Sequence, residues 1–363
     1  MKAVVFGASG VVGRAAAEQF AARPGGAVVA VSRRPVTLPG VEHVVLDLAD
    51  RSATEAAIRG GAGAFAGVTH VVYAALQEGP DLVAGWRDPD LMQHNLRLFR
   101  NALEPLLAAH GDTLRHVSLL QGAKAYGLHL GRTPVPAKER APRDQHDNFY
   151  FLQEDALRSL AADAGWSWTI LRPQVVLGES IGSPMNLLPA IGVYASLERA
   201  RGRALAFPGG PPTLQEAVDA RLLARALDWA ADSPAARFET FNVTNGDVYT
   251  WHDVWPAIAD ACGMDVADPE PQLLAQAMPP RRGEWAALVD AHSLRAPREM
   301  ADFVGSSWSY ADVLFGARGT RALPALLSTI RIRSAGFGDC IDTEDMLRAW
   351  FDRFQRTGLL PKP

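Results

Sequence analysis

The feature that most narrows the fold is seven residues long. Gly7-Ala8-Ser9-Gly10-Val11-Val12-Gly13 directly follows an apolar run, Lys2–Phe6, and opens a helical stretch. Glycine is needed where a chain turns sharply out of a strand and where backbone must approach a pyrophosphate. A third glycine lets helix and strand pack closely. The helix N-terminus adds free N–H groups and the positive end of a dipole. As bare spacing, the pattern also fits a tight turn in any α/β protein. The strand-turn-helix context at the start of the chain makes it a nucleotide-binding turn. Ser9, Val11 and Val12 are expected at the cofactor beside Gly7, Gly10 and Gly13.

The first half of the chain repeats this alternation. Strands are expected at Lys2–Phe6, Ala27–Val31, His43–Leu46, His70–Ala74, His116–Leu120 and Trp168–Leu171. Their hydrophobicity is continuous, as in strands buried on both faces of a parallel sheet. Leu91–His110 and Phe149–Ala164 read as helices between them. The pattern predicts an α/β protein with a doubly wound parallel sheet, a Rossmann fold. After Arg172-Pro173 the alternation stops. Leu214–Ala231 reads as a helix, Phe238–Thr244 as a strand, and Thr343–Arg356 as a last helix capped by Thr343. The expected division is a nucleotide-binding domain, 1–180, to which 214–250 return. The segments 181–213 and 251–363 form a smaller, mostly helical substrate-binding part.

Composition removes other classes. The 363 residues carry 48% hydrophobic and 21% charged side chains and a net charge of −4, so no basic excess points to nucleic acid or an anionic membrane. Two cysteines, Cys262 and Cys340, make no disulfide framework, which suits a reducing, cytoplasmic setting. No apolar run approaches the ~18 residues of a membrane helix. The histidines show no metal-ligand spacing. Gln77-Glu78 reads as polar loop, and the nine tryptophans as core. A homodimer is the oligomeric state to be tested.

The end of the second strand bears on the cofactor. An enzyme using NAD usually has an acidic residue there, on the ribose hydroxyls. This chain has Ser32-Arg33-Arg34, two guanidinium groups suited to the 2′-phosphate of NADP(H). Asp47-Leu48 ends the third strand. The Asp47 carboxylate either accepts from the adenine amino group or caps the following helix. Ligands of this fold bind at the carboxyl ends of strands. That places Ala74 and Ala75 at the end of the fourth strand, and Gln121 after the fifth, near the cofactor. Reductases of this fold use a tyrosine with a lysine four residues on, which shares its helix face. That pair is missing: Tyr150 is followed by Glu154, and Tyr126 by Leu130. Lys124, in Gln121-Gly122-Ala123-Lys124-Ala125-Tyr126 after the fifth strand, stands where it can approach Tyr150 from another direction. On the residues alone, a loop lysine and a core tyrosine remain an equal alternative.

Asn148-Phe149-Tyr150-Phe151-Leu152-Gln153-Glu154-Asp155 resembles a segment of the progesterone 5β-reductase/iridoid synthase-like enzymes. Gln121–Gly127 is similar to that family's lysine motif. Ser32-Arg33-Arg34-Pro35, Asn95–Leu103, Gly178–Asn186, Phe241–Asp247 and Ile330–Leu360 also agree, so the resemblance covers nearly the whole chain. It implies that Lys124 and Tyr150 carry the chemistry, on a small apolar substrate with a carbon–carbon double bond conjugated to a carbonyl. The resemblance implies NADPH as reductant, Tyr150 as the group that stabilises an enolate, and Lys124 as its helper. Arg172–Gly178 is similar to the extended short-chain dehydrogenase segment whose backbone lines the nicotinamide. Pro173, Val175 and Ser183 are accordingly cofactor candidates, and Tyr126 and Met185 substrate-pocket candidates. Two departures stand out. Ala125 follows Lys124 where plant members commonly have histidine, and Tyr73–Gln77 lacks their tryptophan. Carbonyl reduction by the same tyrosine, and a non-catalytic NADP sensor, are the alternative functions.

Overall fold

The computed structural model describes residues 1–60, 63–79, 84–131, 133–143, 145–317 and 324–363. Among them, seven strands form one parallel sheet: β1 (Lys2–Phe6), β2 (Ala27–Ser32), β3 (Val41–Val45), β4 (His70–Tyr73), β5 (His116–Leu120), β6 (Ser167–Pro173) and, later in the chain, Glu239–Val243. The last follows three strands of the second unit, β7 (Val175–Leu177), β8 (Leu205–Ala206) and β9 (Ala217–Asp219), and is therefore β10. The order across the sheet is β10-β6-β5-β4-β1-β2-β3, so the strand order reverses between β1 and β4. At that switch point an open α/β sheet leaves a crevice at its carboxyl edge.

Period-two packing explains why these strands read as unbroken apolar runs. Val4 and Phe6, Val29 and Val31, Val71 and Tyr73, and Val117 and Leu119 all join one core cluster. That cluster is completed by Ile58 of α2 (Arg51–Gly60), Leu98, Phe99 and Leu103 of α3 (Pro89–His110), and Leu157 of α4 (Phe149–Ala161). The intervening residues Ala3, Val5, Val28 and Ala30 are also buried, so β1 and β2 are covered on both faces. Helices α1 (Val11–Ala21) and α6 (Ala220–Asp232) pack on each other and on the sheet.

The chain forms two units. The first is Met1–Gln174, Ala220–Thr244 and Leu327–Asp339. The second is Val175–Asp219, Asn245–Leu326 and Cys340–Pro363. The stretch 327–339, read from sequence with the later part, belongs to the first unit, while 175–180, 214–219 and 245–250, read with the nucleotide-binding domain, belong to the second. In the second unit β7 pairs with β9, β8 pairs with β11 (Val266–Ala267), and the rest is largely helical, including α5 (Leu187–Ala200).

Two local expectations are corrected. Residues 217–219 are strand, not the start of a helix. Their backbone is taken by the β7 ladder, and the Asp219 N–H donates to Asn245 Oδ1 (2.7 Å). Tertiary pairing overrides local propensity there. The Thr343–Arg356 helix is capped by Asp342, whose carboxylate accepts from the Asp345 N–H (3.1 Å). Thr343 is already helical, and its hydroxyl donates to Asp247 (2.7 Å).

Candidate active site

The turn between β1 and α1 has the geometry the glycines foretold. Gly7 takes φ +85°, and a Cβ there would stand 2.7 Å from the Ala74 carbonyl and the Ala75 nitrogen. Only glycine fits that approach of two strand ends. A Cβ on Gly13 would stand 2.2 Å from the Gly7 oxygen. Gly10 is the N-cap of α1 and supplies no side-chain acceptor, and the first turn holds no acidic residue. Backbone N–H groups at this end are left to a ligand, which suits a phosphate.

The other cofactor candidates lie along the same carboxyl edge. Ser32 is buried at the end of β2, with its hydroxyl donating to the Arg34 carbonyl (2.7 Å) and 3.0 Å from His43 Nε2. It stiffens the turn from which Arg33 and Arg34 are displayed. Both arginines are exposed. Partial burial, and then the charge of Arg33, lower the pKa of Arg34. Two adjacent guanidinium groups repel, so an anion between them is favoured. Asp47 Oδ1 accepts from the Ala49 N–H (3.0 Å), and the α2 cap contact comes from Asp50 instead, through the Ala53 N–H (2.9 Å). Leu48 is buried, and its carbonyl accepts from Asn101 (2.8 Å). The residues present thus fit a dinucleotide. Val175, Ser183 and Met185 belong to the second unit, where the Ser183 carbonyl accepts from the Ser307 hydroxyl (2.8 Å).

Lys124 and Tyr150 come together through elements that the sequence places 26 residues apart. Lys124 sits on a single 3₁₀ turn, Ala123–Tyr126, at the end of β5. Tyr150 is in the first turn of α4. One side chain joins the two: Asn148 Oδ1 accepts from the Tyr150 N–H (3.0 Å), capping the helix, while Asn148 Nδ2 donates to the Lys124 carbonyl (3.1 Å). Gln121 adds a second tie, its Nε2 donating to the Tyr150 carbonyl (3.0 Å) and its Oε1 accepting from Arg172 Nε (2.8 Å). Gly122 leaves room at the phenol, since a Cβ there would be 3.3 Å from the Tyr150 oxygen.

Both side chains then meet Trp86. Lys124 Nζ stands 3.7 Å from the centroid of the indole, and the Tyr150 ring packs edge-on at 5.0 Å and 69°. Phe149 and Met92 close this apolar cluster. Burial lowers the pKa of Lys124 to about 8, against the opposing charge of Glu78.

Glu154, in the place where a lysine was sought, is engaged by arginines instead. It pairs with Arg172 (3.3 Å), Arg158 (2.8 Å) and Arg143 (3.1 Å). Burial pushes its pKa up, but the Arg158 hydrogen bonds and the Arg172 and Arg143 charges hold it below its ordinary value. Tyr126 packs separately, with Ala123, Ala137 and Leu327. Its hydroxyl donates to Asn242 Oδ1 (2.7 Å), and it borders a cleft of about 270 Å³ lined by Arg143, Glu154, Arg172 and Arg331. That cleft is far more polar than the apolar pocket expected around Tyr126.

Sequence reasoning missed Trp86, Asn148 and Glu78 as members of the site. Asn148 carried a signal, an N-cap residue immediately before a helical run. Trp86 and Glu78 carried none. Glu78, read as part of a polar loop, is partly buried, and its Oε2 accepts from the Trp86 indole N–H (3.0 Å).

Comparison with known proteins assigns the family. A model of the PRISE-like Rossmann-fold domain matches residues 3–310. The chain belongs to the PRISE-like family. It is an oxidoreductase of the short-chain dehydrogenase/reductase type. An (S)-8-oxocitronellyl enol synthase of Antirrhinum majus is 30% identical over 88% of this chain and 83% of its own length. A 3-oxo-Delta(4,5)-steroid 5-beta-reductase of Arabidopsis thaliana is 28% identical over 99% of this chain and 93% of its own. Among solved structures, a UDP-glucose 4-epimerase of Thermotoga maritima aligns with a TM-score of 0.67 at 16% identity, over 98% and 99% of the two chains. That likeness is one of fold.

Proposed function

We propose that this PRISE-like protein is an NADPH-dependent reductase of α,β-unsaturated carbonyl compounds. The observation that carries the proposal is the convergence of Lys124 and Tyr150 on the Trp86 ring, beside the carboxyl edge of a sheet whose first turn is shaped for a dinucleotide. Relatives named as an enol synthase and a steroid 5-beta-reductase support the substrate class.

Gly7, Gly10 and Gly13 would hold the pyrophosphate, and Arg33 and Arg34 the 2′-phosphate, so NADPH is preferred to NADH. When bound, the reduced nicotinamide supplies a hydride to the β-carbon of the substrate. Tyr150 donates a hydrogen bond to the carbonyl oxygen, where negative charge then grows. Such a donor, fixed in a site that excludes water, stabilises the oxyanion without reorganising. Lys124, as an ammonium, holds the phenol acidic enough to share its proton. Asn148 and Gln121 keep the two groups from drifting apart. Trp86, Phe149 and Met92 offer an apolar wall to the carbon skeleton. The α-carbon takes its proton from the medium.

The test is NADPH consumption with a panel of a simple cyclic enone, a steroid enone, a terpenoid enal and the matching saturated ketones, with products identified by mass. Enones should be reduced to saturated carbonyls. Tyr150→Phe should retain NADPH binding and lose turnover. Reaction of the ketones alone would assign the same phenol to carbonyl reduction. Tight cofactor binding without turnover would leave only a sensor.

A further inference from the structure

Glu78 lies in the loop after β4, yet its side chain turns inward. Oε2 accepts the Trp86 indole N–H, and Oε1 is buried with no hydrogen-bond donor among the described residues. A buried carboxylate oxygen lacking a donor is costly unless a positive charge compensates it. Lys124 supplies that charge from across the indole face. Burial raises the Glu78 pKa, while the Lys124 charge and the Trp86 N–H work against the rise. The indole therefore carries a carboxylate at its N–H edge, an ammonium over its face and the Tyr150 ring against its side.

We propose that Glu78 is a positioning residue for the reaction: it fixes the Trp86 ring against Lys124 and Tyr150, and its carboxylate is the counter-charge of the Lys124 ammonium. The inference rests on the reading of Lys124 and Tyr150 given above. Other titratable groups nearby are His129, whose ring is 5.8 Å from Trp86, and His146, 5.0 Å from His129. Glu154, one turn along α4 from Tyr150, is held by its arginines. Glu78 is the one carboxylate bonded to the Trp86 ring among the described residues.

The chain has four lysines, Lys2, Lys124, Lys138 and Lys362, so ¹³C reductive methylation gives a spectrum simple enough to follow each one. The cofactor-free protein would be titrated by NMR, with Lys124 assigned through Lys124→Arg. In the unmutated protein Lys124 should titrate at about 8. Glu78→Gln keeps an oxygen for the indole N–H but removes the charge, and should move that titration roughly one unit lower. The alkaline limb of the kcat/KM profile should move in the same direction, and Glu78→Asp should restore both. Circular dichroism checks that each variant folds. An unchanged Lys124 titration in folded Glu78→Gln overturns the proposal, whatever happens to turnover. If Lys124→Ala and Tyr150→Phe reduce enones normally, the reading of the site itself falls, and Glu78 has no reaction to position.

Discussion

At the scale of single residues, the site depends on a few close approaches. Tyr150 is 8% exposed, and its oxygen lies near a glycine that cannot grow a side chain without crowding it. Gly122→Ala should therefore slow turnover at least tenfold while the melting temperature changes little, which steady-state kinetics and thermal denaturation check together. Tyr150→Phe should cost about 10²- to 10⁴-fold in kcat, the usual range for a lost proton-sharing group. Lys124 is also expected to set an alkaline limit. Its pKa is lowered by burial to about 8, so the helpful ammonium is present below that pH and lost above it. The kcat/KM for an enone should fall as pH rises through about 8, and Lys124→Ala should erase that limb.

At the scale of elements, the α4 helix is held to β5 and β6 by polar ties as much as by its apolar face. Arg172 and Glu154 are both buried, at 6% and 4% exposure. Removing one partner of a buried pair leaves an uncompensated charge and costs about 3–5 kcal/mol. Glu154→Ala should destabilise the protein by that order in urea denaturation, and more than Arg158→Ala does. Because Glu154 titrates below its unfolded value, the stability it lends is present above that value. It is lost as pH falls through the lower, folded one. Glu154→Gln should flatten this acid-side loss.

The same scale shows what could be read from sequence. Strands β1, β2, β4, β5 and β6 announced themselves because both faces of a parallel sheet are buried, which leaves no alternation to confuse. The Gly7–Gly13 turn was legible because its glycines answer to backbone contacts. Lys124 and Tyr150 were reached through the motifs around them. Residues 217–219 were misread because a three-residue strand running into a helix has no period of its own. Trp86 and Glu78 stayed hidden because an indole on a short 3₁₀ turn is brought to Lys124 by tertiary packing alone.

At the scale of the whole molecule, the topology brings separate loops to one edge of the sheet. The β1, β2, β4 and β5 ends gather the glycine turn, the arginine pair, the Ala74–Ala75 segment and the lysine turn. Among the described residues, no helix is long and apolar enough to cross a membrane. Binding of a cofactor to the folded state alone stabilises it by about 2.7 kcal/mol at a hundredfold excess over Kd. NADP⁺ should therefore raise the melting temperature more than NAD⁺ at equal concentration. Arg33→Ala with Arg34→Ala should abolish the difference without lowering the NAD⁺ shift.

Conjugate and carbonyl reduction differ in where the hydride goes, and deuterium reports that directly. A cyclic enone would be reduced with 4-deuterated NADPH of the transferring face, and the product examined by NMR. A saturated ketone with deuterium on the β-carbon is expected, formed about 10²- to 10⁴-fold more slowly by Tyr150→Phe. Deuterium on the carbinol carbon of an allylic alcohol would contradict conjugate reduction.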